Sequence, residues 1–541
     1  MQKSKVYFGS TPLNLDQGTT HLDTVEINQE TFFKIENVNQ MNPFFMTIVS
    51  DVDHWMFISS TGGLTCGRVN AESALFPYYT DDKIHDSAET TGSNSIILVS
   101  KDEQSFLWKP FSLHHHNVYS ITRNLYKNTL GNKVMFEEIN HDLMVAFRYT
   151  YKNSAKYGFI KESEIINLSD KTVSVDVCDG LRNILPYGVT TQLQTTLSTL
   201  LDGYKRCELI EEVGLGIYNL SSILTDKAEP SESLKCTTVF SLGLSSPTYL
   251  LSEQQLHAFS IGDGVVTEHD VKGRRGSYYV CDTLTLASSK TQSWMMVAEL
   301  NQSAVDVQSL IHDLSTHPEA LKANILENIK QGNVNLTKLV YEADGLQCTA
   351  NAKTSFRHFS NTLFNIMRGG VYADGYQVES DDFISFVKVW NKPIYAQFKE
   401  VLSSLPAQLT YQDLVSKASE LGNKDLERLV LEYLPLTFSR RHGDPSRPWN
   451  RFSIEIAKED GSKKLNFEGN WRDIFQNWEA LSMSYPEFIE SIIAKFVNAS
   501  TVDGYNPYRI TKNGLDWEEL NPDEPWSNIG YWGDHQIIYL L

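Results

Sequence analysis

Up to about residue 300 the apolar positions recur mostly at every second place. Leu143, Val145, Phe147, Tyr149 and Tyr151 alternate with Arg148 and Thr150 among others, as one face of a strand requires. Thr172–Cys178 and Tyr278–Leu286 read likewise, and Gly62-Gly63, Asn167–Asp170 and Gly273–Gly276 supply turn residues between such runs. Many strands without long helices between them predict a large antiparallel sandwich over residues 1–300.

Near residue 302 the period changes to 3.6. Val305, Val307, Leu310, Ile311 and Leu314 form a helical stripe, and Leu321, Ile325 and Ile329 form a second one behind Pro318, a residue suited to a first turn. Further helices are predicted around 356–368, 380–390, 411–421 and 424–434, so residues 301–425 read as a helical linker region. Residues 426–541 form a third region, with helices at about 470–483 and 486–498. Phe488, Ile489, Ile492, Ile493, Phe496 and Val497 give the last of these a stripe broad enough for two neighbours. Six of the ten tryptophans fall in this final fifth, among loops rich in Gly, Asp, Asn and Tyr, and such loops at helix ends are common places for ligands.

Composition narrows the function. A formal charge of −20 argues against a nucleic-acid surface, which needs clustered cations, and against anionic lipid. A neutral polyhydroxylated ligand is compatible with it. The cysteines are scattered, with no pair at zinc or redox spacing. No signal-like segment opens the chain, and no apolar run approaches the ~18–20 residues that span a bilayer. The expectation is a reduced, cytoplasmic protein without a metal. Three adjacent imidazoles, His114 to His116, face alternate ways in an extended chain and cannot converge on one ion. Gly62–Gly67 lacks the Lys-Ser/Thr of a phosphate-binding loop.

Two segments carry candidate chemistry. The first runs from Ser439 to Trp478 and ends in Gly469-Asn-Trp-Arg-Asp-Ile-Phe-Gln-Asn-Trp478. Arg472 and Asp473 at a loop-to-helix junction, beside Trp471, suit a sugar: the charged groups grip hydroxyls while the ring covers an apolar face. The same pair could simply fasten a helix start. Arg440, Arg441, His442, Arg447 and Arg451 in this segment fit an oxyanion such as phosphate, or neutralise nearby acids. The second segment is Asp503-Gly-Tyr-Asn-Pro-Tyr-Arg509, with Tyr531-Trp-Gly-Asp-His-Gln536 beyond it. Asp503 or Asp534 in an aromatic surround could hold a raised pKa and protonate a leaving glycosidic oxygen. Asp503 could equally cap a turn.

Gly469–Gln476, then Asp503-Gly504, then Trp532–Leu541 resemble, in order, motifs of the cellobiose-phosphorylase-like proteins of glycoside hydrolase family 94. Asp53–Gly63 and Phe76–Tyr79 resemble the first β-domain of large bacterial relatives of that family. The resemblance implies an N-terminal β super-sandwich, a helical linker and an (α/α)6 barrel, with inverting phosphorolysis or hydrolysis of a β-glucoside or oligosaccharide. It gives Arg472 and Asp473 contacts to the sugar being cleaved, with Trp471, Tyr505, Trp532 and His535 beside it. The family's acid position falls on Tyr505, so Asp503 stands in as the acid, with Asp534 behind it. Inorganic phosphate is the implied co-substrate; no other cofactor is implied.

A closed barrel of twelve helices needs far more than the roughly 115 residues after position 425. The sequence therefore reads as a truncated or split protein holding the start of the barrel, completed by a C-terminal partner chain; family likeness adds a homodimer as the other partner expectation. The alternative to an enzyme is a non-catalytic carbohydrate-binding or assembly module.

Overall fold

The computed structural model describes residues 5–14, 18–79, 81–101, 103–114, 117–224, 232–440, 452–458, 460–517, 531–532 and 541. They fall into two compact units divided at Val334–Asn335.

The first unit is built from antiparallel sheets. Its central strands are β1 (Gly92–Lys101), β2 (Val145–Ser154), β3 (Gly158–Asn167), β4 (Val173–Ile184), β5 (Gly276–Leu286) and β6 (Thr291–Gln302). β6, β3 and β2 lie side by side within an eleven-stranded sheet, while β1, β4 and β5 are the middle of a five-stranded one. Phe147, Tyr149, Tyr151, Val177, Tyr278, Val280, Trp294 and Met296 from both sheets share one core. This is the sandwich expected from the period-two pattern.

Three other strands converge on Asp179 of β4. Its carboxylate accepts hydrogen bonds from Lys161 Nζ of β3 (2.5 Å), Ser95 Oγ of β1 (2.6 Å), Ser163 Oγ of β3 (2.8 Å) and Trp294 Nε1 of β6 (2.9 Å). Lys161 and Asp179 are both fully buried, and Lys161 also lies 5.5 Å from the centre of the Tyr149 ring. Gly180 follows because any Cβ there would sit 2.3 Å from the ring of Tyr279 on β5.

β6 ends at Gln302, where the period changes, and Ser303 caps the next helix through a full capping box with Asp306. Helix α1 (Ala304–Thr316) and the first part of α2 (Pro318–Glu342) belong to the first unit. Leu314, Leu321, Ile325 and Ile329 pack on Ile160, Phe240, Met295 and Val297 of the large sheet. The helices that open the predicted linker thus cover a face of the sandwich. Val305, expected in the buried stripe, is exposed; it stands in the first turn, off the face that Leu310 and Leu314 turn to the sheet.

In the second unit, α3 (Ala352–Gly369) leads into a short strand β7 (Val371–Tyr372). There follow α4 (Ser380–Trp390), α5 (Lys392–Ser403), α6 (Tyr411–Glu420) and α7 (Lys424–Glu432), and then β8 (Leu436–Thr437). β7 pairs with β8, Val371 opposite Thr437 and Tyr372 opposite Leu436, so the helices between them leave and return at one point. Beyond lie β9 (Glu468–Asn470), α8 (Trp471–Ser482), α9 (Ile489–Ala499), β10 (Tyr505–Asn506), β11 (Arg509–Thr511), β12 (Gly514–Asp516) and β13 (Tyr531–Trp532).

The described residues of this unit hold seven whole helices, short of the twelve of a closed (α/α)6 barrel. The broad stripe of α9 divides in two. Phe488, Ile492 and Phe496 are buried, while Ile489, Ile493 and Val497, spaced four apart, are exposed. No helix among the described residues is long and apolar enough to cross a membrane.

Candidate functional site

β9, β11 and β12 form a three-stranded sheet that joins the two candidate segments. Glu468, Gly469 and Asn470 stand opposite Thr511, Ile510 and Arg509, and β11 turns back on β12 through Lys512 and Asn513. The chain leaves β9 straight into α8, and the Trp471 N–H, one of the orphan donors of a helix start, is taken by the Tyr508 carbonyl at 3.0 Å. The Gly469–Trp478 motif and the Tyr505–Arg509 motif are therefore neighbours.

An ion network holds this sheet. Arg509 Nε donates to Asp516 Oδ2 at 2.5 Å and Nη1 to Glu468 Oε1 at 2.8 Å, and Nη2 also pairs with Asp516. Glu468 accepts a further bond from Ser453 Oγ, and its N–H is bound by Ser439 Oγ at 3.3 Å. Ser439 follows Phe438, a bulky buried residue held at φ 63°, a conformation that only surrounding structure can impose.

The expected site residues have different fates. Trp471 is fully buried (0% exposed), its ring edge-on to Phe496 at 4.7 Å. It is a core residue here, without the open ring face that a sugar platform requires. Arg472 is exposed and Asp473 half-buried in the first turn of α8. Successive helical residues project roughly 100° apart, and Asp473 in the first turn is favourably placed near the positive helix end. The Asn470 side-chain oxygen at this junction is buried without a hydrogen-bond partner among the described residues.

Asp503 is exposed on a tight turn and accepts a hydrogen bond from Thr501 Oγ1. Gly504 at φ 86° allows the turn, and the Gly504 N–H closes it on the Thr501 carbonyl at 3.0 Å. Tyr505 is half-buried, with its ring stacked on Trp517 at 5.5 Å and 26°. Trp517 is 39% exposed, which leaves an accessible aromatic surface. The Tyr505 backbone pairs with that of Trp532 in the β10–β13 ladder, so two expected substrate residues are register partners. Asp534, His535 and the cluster Arg441, His442, Arg447 and Arg451 lie outside the described residues.

Behind the sheet is a second polar group that spacing did not suggest. Lys512 Nζ meets Asp382 of α4 and donates to the Leu465 carbonyl at 2.9 Å, and Tyr433 OH donates to the same Asp382 at 2.7 Å. Burial holds Lys512 below the usual ammonium range. These residues lie about 50 to 130 positions apart in sequence, too far for any local signal. A cavity of about 230 Å³ lies between α3 and the far end of α8, lined by His358, Asn361, Asn365, Asn477 and Ser484 among others. Arg472, Asp473 and Asp503 do not line it, so the helix that begins at the expected site opens its cavity at the opposite end.

Residues 372–435 match the profile described as glycoside hydrolase family 149 insertion domain 1, and this is the segment enclosed by the β7–β8 pair. No curated protein matches the chain. Among solved structures it is similar to a bacterial glucoamylase complexed with acarbose, at 9% identity and TM-score 0.36, over 91% of this chain and 61% of that one. It is also similar to a provisionally assigned kojibiose phosphorylase from the human microbiome, at 9% identity and TM-score 0.31, over 84% and 50%. The chain thus spans between half and about three fifths of the length of these two proteins, and its sequence likeness to a glycoside hydrolase family lies in residues 372–435.

Proposed function

We propose that the chain is part of a carbohydrate-active enzyme of the glycoside phosphorylase or hydrolase kind, and that its second unit takes a saccharide beside the Tyr505–Trp517 stack. One observation carries this reading: a segment like a glycoside hydrolase insertion domain sits in that unit between two paired strands. The accessible Trp517 ring supplies a flat surface of the sort that apolar sugar faces cover.

In the proposed reaction a β-linked gluco-oligosaccharide is cleaved with inversion. Arg472 and Asp473 hold hydroxyls, each from its own direction, and Trp532 and His535 complete the surround. Asp503 protonates the leaving oxygen, with Asp534 as the alternative donor. With phosphate as nucleophile no second carboxylate is needed to activate water. The exposed Ile489, Ile493 and Val497 support the expectation of a partner, a second copy or a chain that completes a barrel.

The exposure of Asp503 favours a second reading, a non-catalytic saccharide-binding module. Incubating the 541-residue chain with β-linked gluco-oligosaccharides, with and without phosphate, separates the two. The first reading predicts a sugar phosphate or free glucose, and a fall of about 10²-fold or more in Asp503→Asn, the scale of general acid catalysis. Saccharide binding without product supports the module; neither binding nor product removes both.

A further inference from the structure

The first unit carries a polar groove that the proposed reaction does not use. The strand preceding the loop at Lys109, Gln104–Trp108, runs along β1 only from Lys101 to Ile97. Beyond that point the chain turns away, and the loop Lys109–Ser112 faces the uncovered start of β1 across a gap. Two adjoining cavities occupy the gap, of about 250 and 40 Å³. They share Glu89, Asn94, Lys109, Ser112 and Arg182 as walls, and the larger adds His114 and His257.

Arg182 of β4 is the distinctive member. It is only 7% exposed, yet its Nε–H has no hydrogen-bond partner among the described residues. One Nη2 bond goes to the Ala88 carbonyl at 3.1 Å, and Glu89 stands 3.7 Å away. Glu89 is itself fixed by accepting the Leu113 N–H at 2.6 Å. Lys109 makes no ion pair among the described residues. The lining thus holds two cations against one carboxylate. A buried donor without an acceptor is costly, and an oxyanion reaching Arg182 and Lys109 would satisfy it with a charge-assisted bond. Glu89, Asn94 and Ser112 remain to accept from and donate to hydroxyls. The volume is below the ~300–1,000 Å³ of typical ligand pockets, which limits the occupant to about one sugar ring.

We propose that this groove binds a monosaccharide-sized polyol bearing one oxyanion, a phosphate or a carboxylate, independently of the site in the second unit. Titration calorimetry of the whole chain with glucose 1-phosphate, glucuronate, glucose and inorganic phosphate tests it. At least one of the two anionic sugars should bind ten times more tightly than both glucose and inorganic phosphate, and which one does so identifies the oxyanion. Lys109→Gln, a change at a half-buried position, should weaken that binding about tenfold, and Arg182→Gln more. Trp517→Ala should leave it unchanged. The proposal is overturned if neither anionic sugar binds, if glucose or inorganic phosphate binds equally well, if Lys109→Gln has no effect, or if Trp517→Ala removes the binding.

Discussion

Asp179→Ala is expected to destabilise the first unit by about 3–5 kcal/mol, the scale seen when one partner of a buried ion pair is removed. Four donors lose their acceptor in this change: Lys161 Nζ, Ser95 Oγ, Ser163 Oγ and Trp294 Nε1. Lys161 retains the Gly180 carbonyl at 3.1 Å. Burial already holds its ammonium below the ordinary range despite the carboxylate beside it, so loss of Asp179 drives Lys161 toward the neutral amine, and that deprotonation caps the loss. Lys161→Met should cost less, because Asp179 keeps three donors. Denaturant unfolding followed by tryptophan emission reads both, since Trp294 sits in the cluster. A loss under about 1 kcal/mol for Asp179→Ala, or a larger loss for Lys161→Met, would contradict the assignment.

The second large effect has the opposite sign. Lys495 of α9 is 1% exposed, its ammonium 3.8 Å from the centre of the Trp390 ring and near Phe386 and Phe467, with no hydrogen-bond partner among the described residues. Burial pulls its pKa down to about 7, and Glu432 offsets only part of this. The unfolded chain, with a lysine near its ordinary 10.4, binds the proton more tightly. The penalty is therefore full below pH 7 and fades as pH rises toward the unfolded value.

At about 1.4 kcal/mol per pH unit, the penalty is bounded on the order of 5 kcal/mol. Lys495→Met, which keeps the length and removes the charge, should stabilise the second unit by about 1–4 kcal/mol at pH 6. The gain should fall by roughly half at pH 9. Unfolding both proteins at the two pH values checks this. A variant less stable at pH 6, or a gain independent of pH, would show that the ammonium is not the source of strain.

Where the fold depends on local periodicity, the sequence was sufficient to predict it. The alternation at Val145–Tyr151 became β2, and the helices expected at 380–390, 411–421 and 424–434 are α4, α6 and α7 within two residues. Helix α5, Lys392–Ser403, was missed; Asn391 and Pro393 resemble a break, and only the cap bond that the Ile394 N–H donates to Asn391 Oδ1 (3.1 Å) turns them into a start.

The site was less legible for a different reason. Motif order brought out Gly469–Trp478 and Asp503–Arg509 as candidate segments, and the β9–β11 pairing makes them neighbours, but motif order could not reveal which face of α8 turns inward. Trp471 enters the core because its N–H is pinned to Tyr508, whereas Trp517, passed over as a platform, meets Tyr505 across a hairpin. The Lys161–Asp179 pair joins residues from two sheets, and nothing in local spacing announces it.

The most direct measurement for a saccharide site in the second unit is the affinity of a β-linked gluco-oligosaccharide for the chain and for Trp517→Ala, read by quenching of tryptophan emission. Saturable binding that weakens about tenfold in the variant, the scale of one aromatic contact, is the predicted result. No saturable binding, or equal affinity in both proteins, would contradict it.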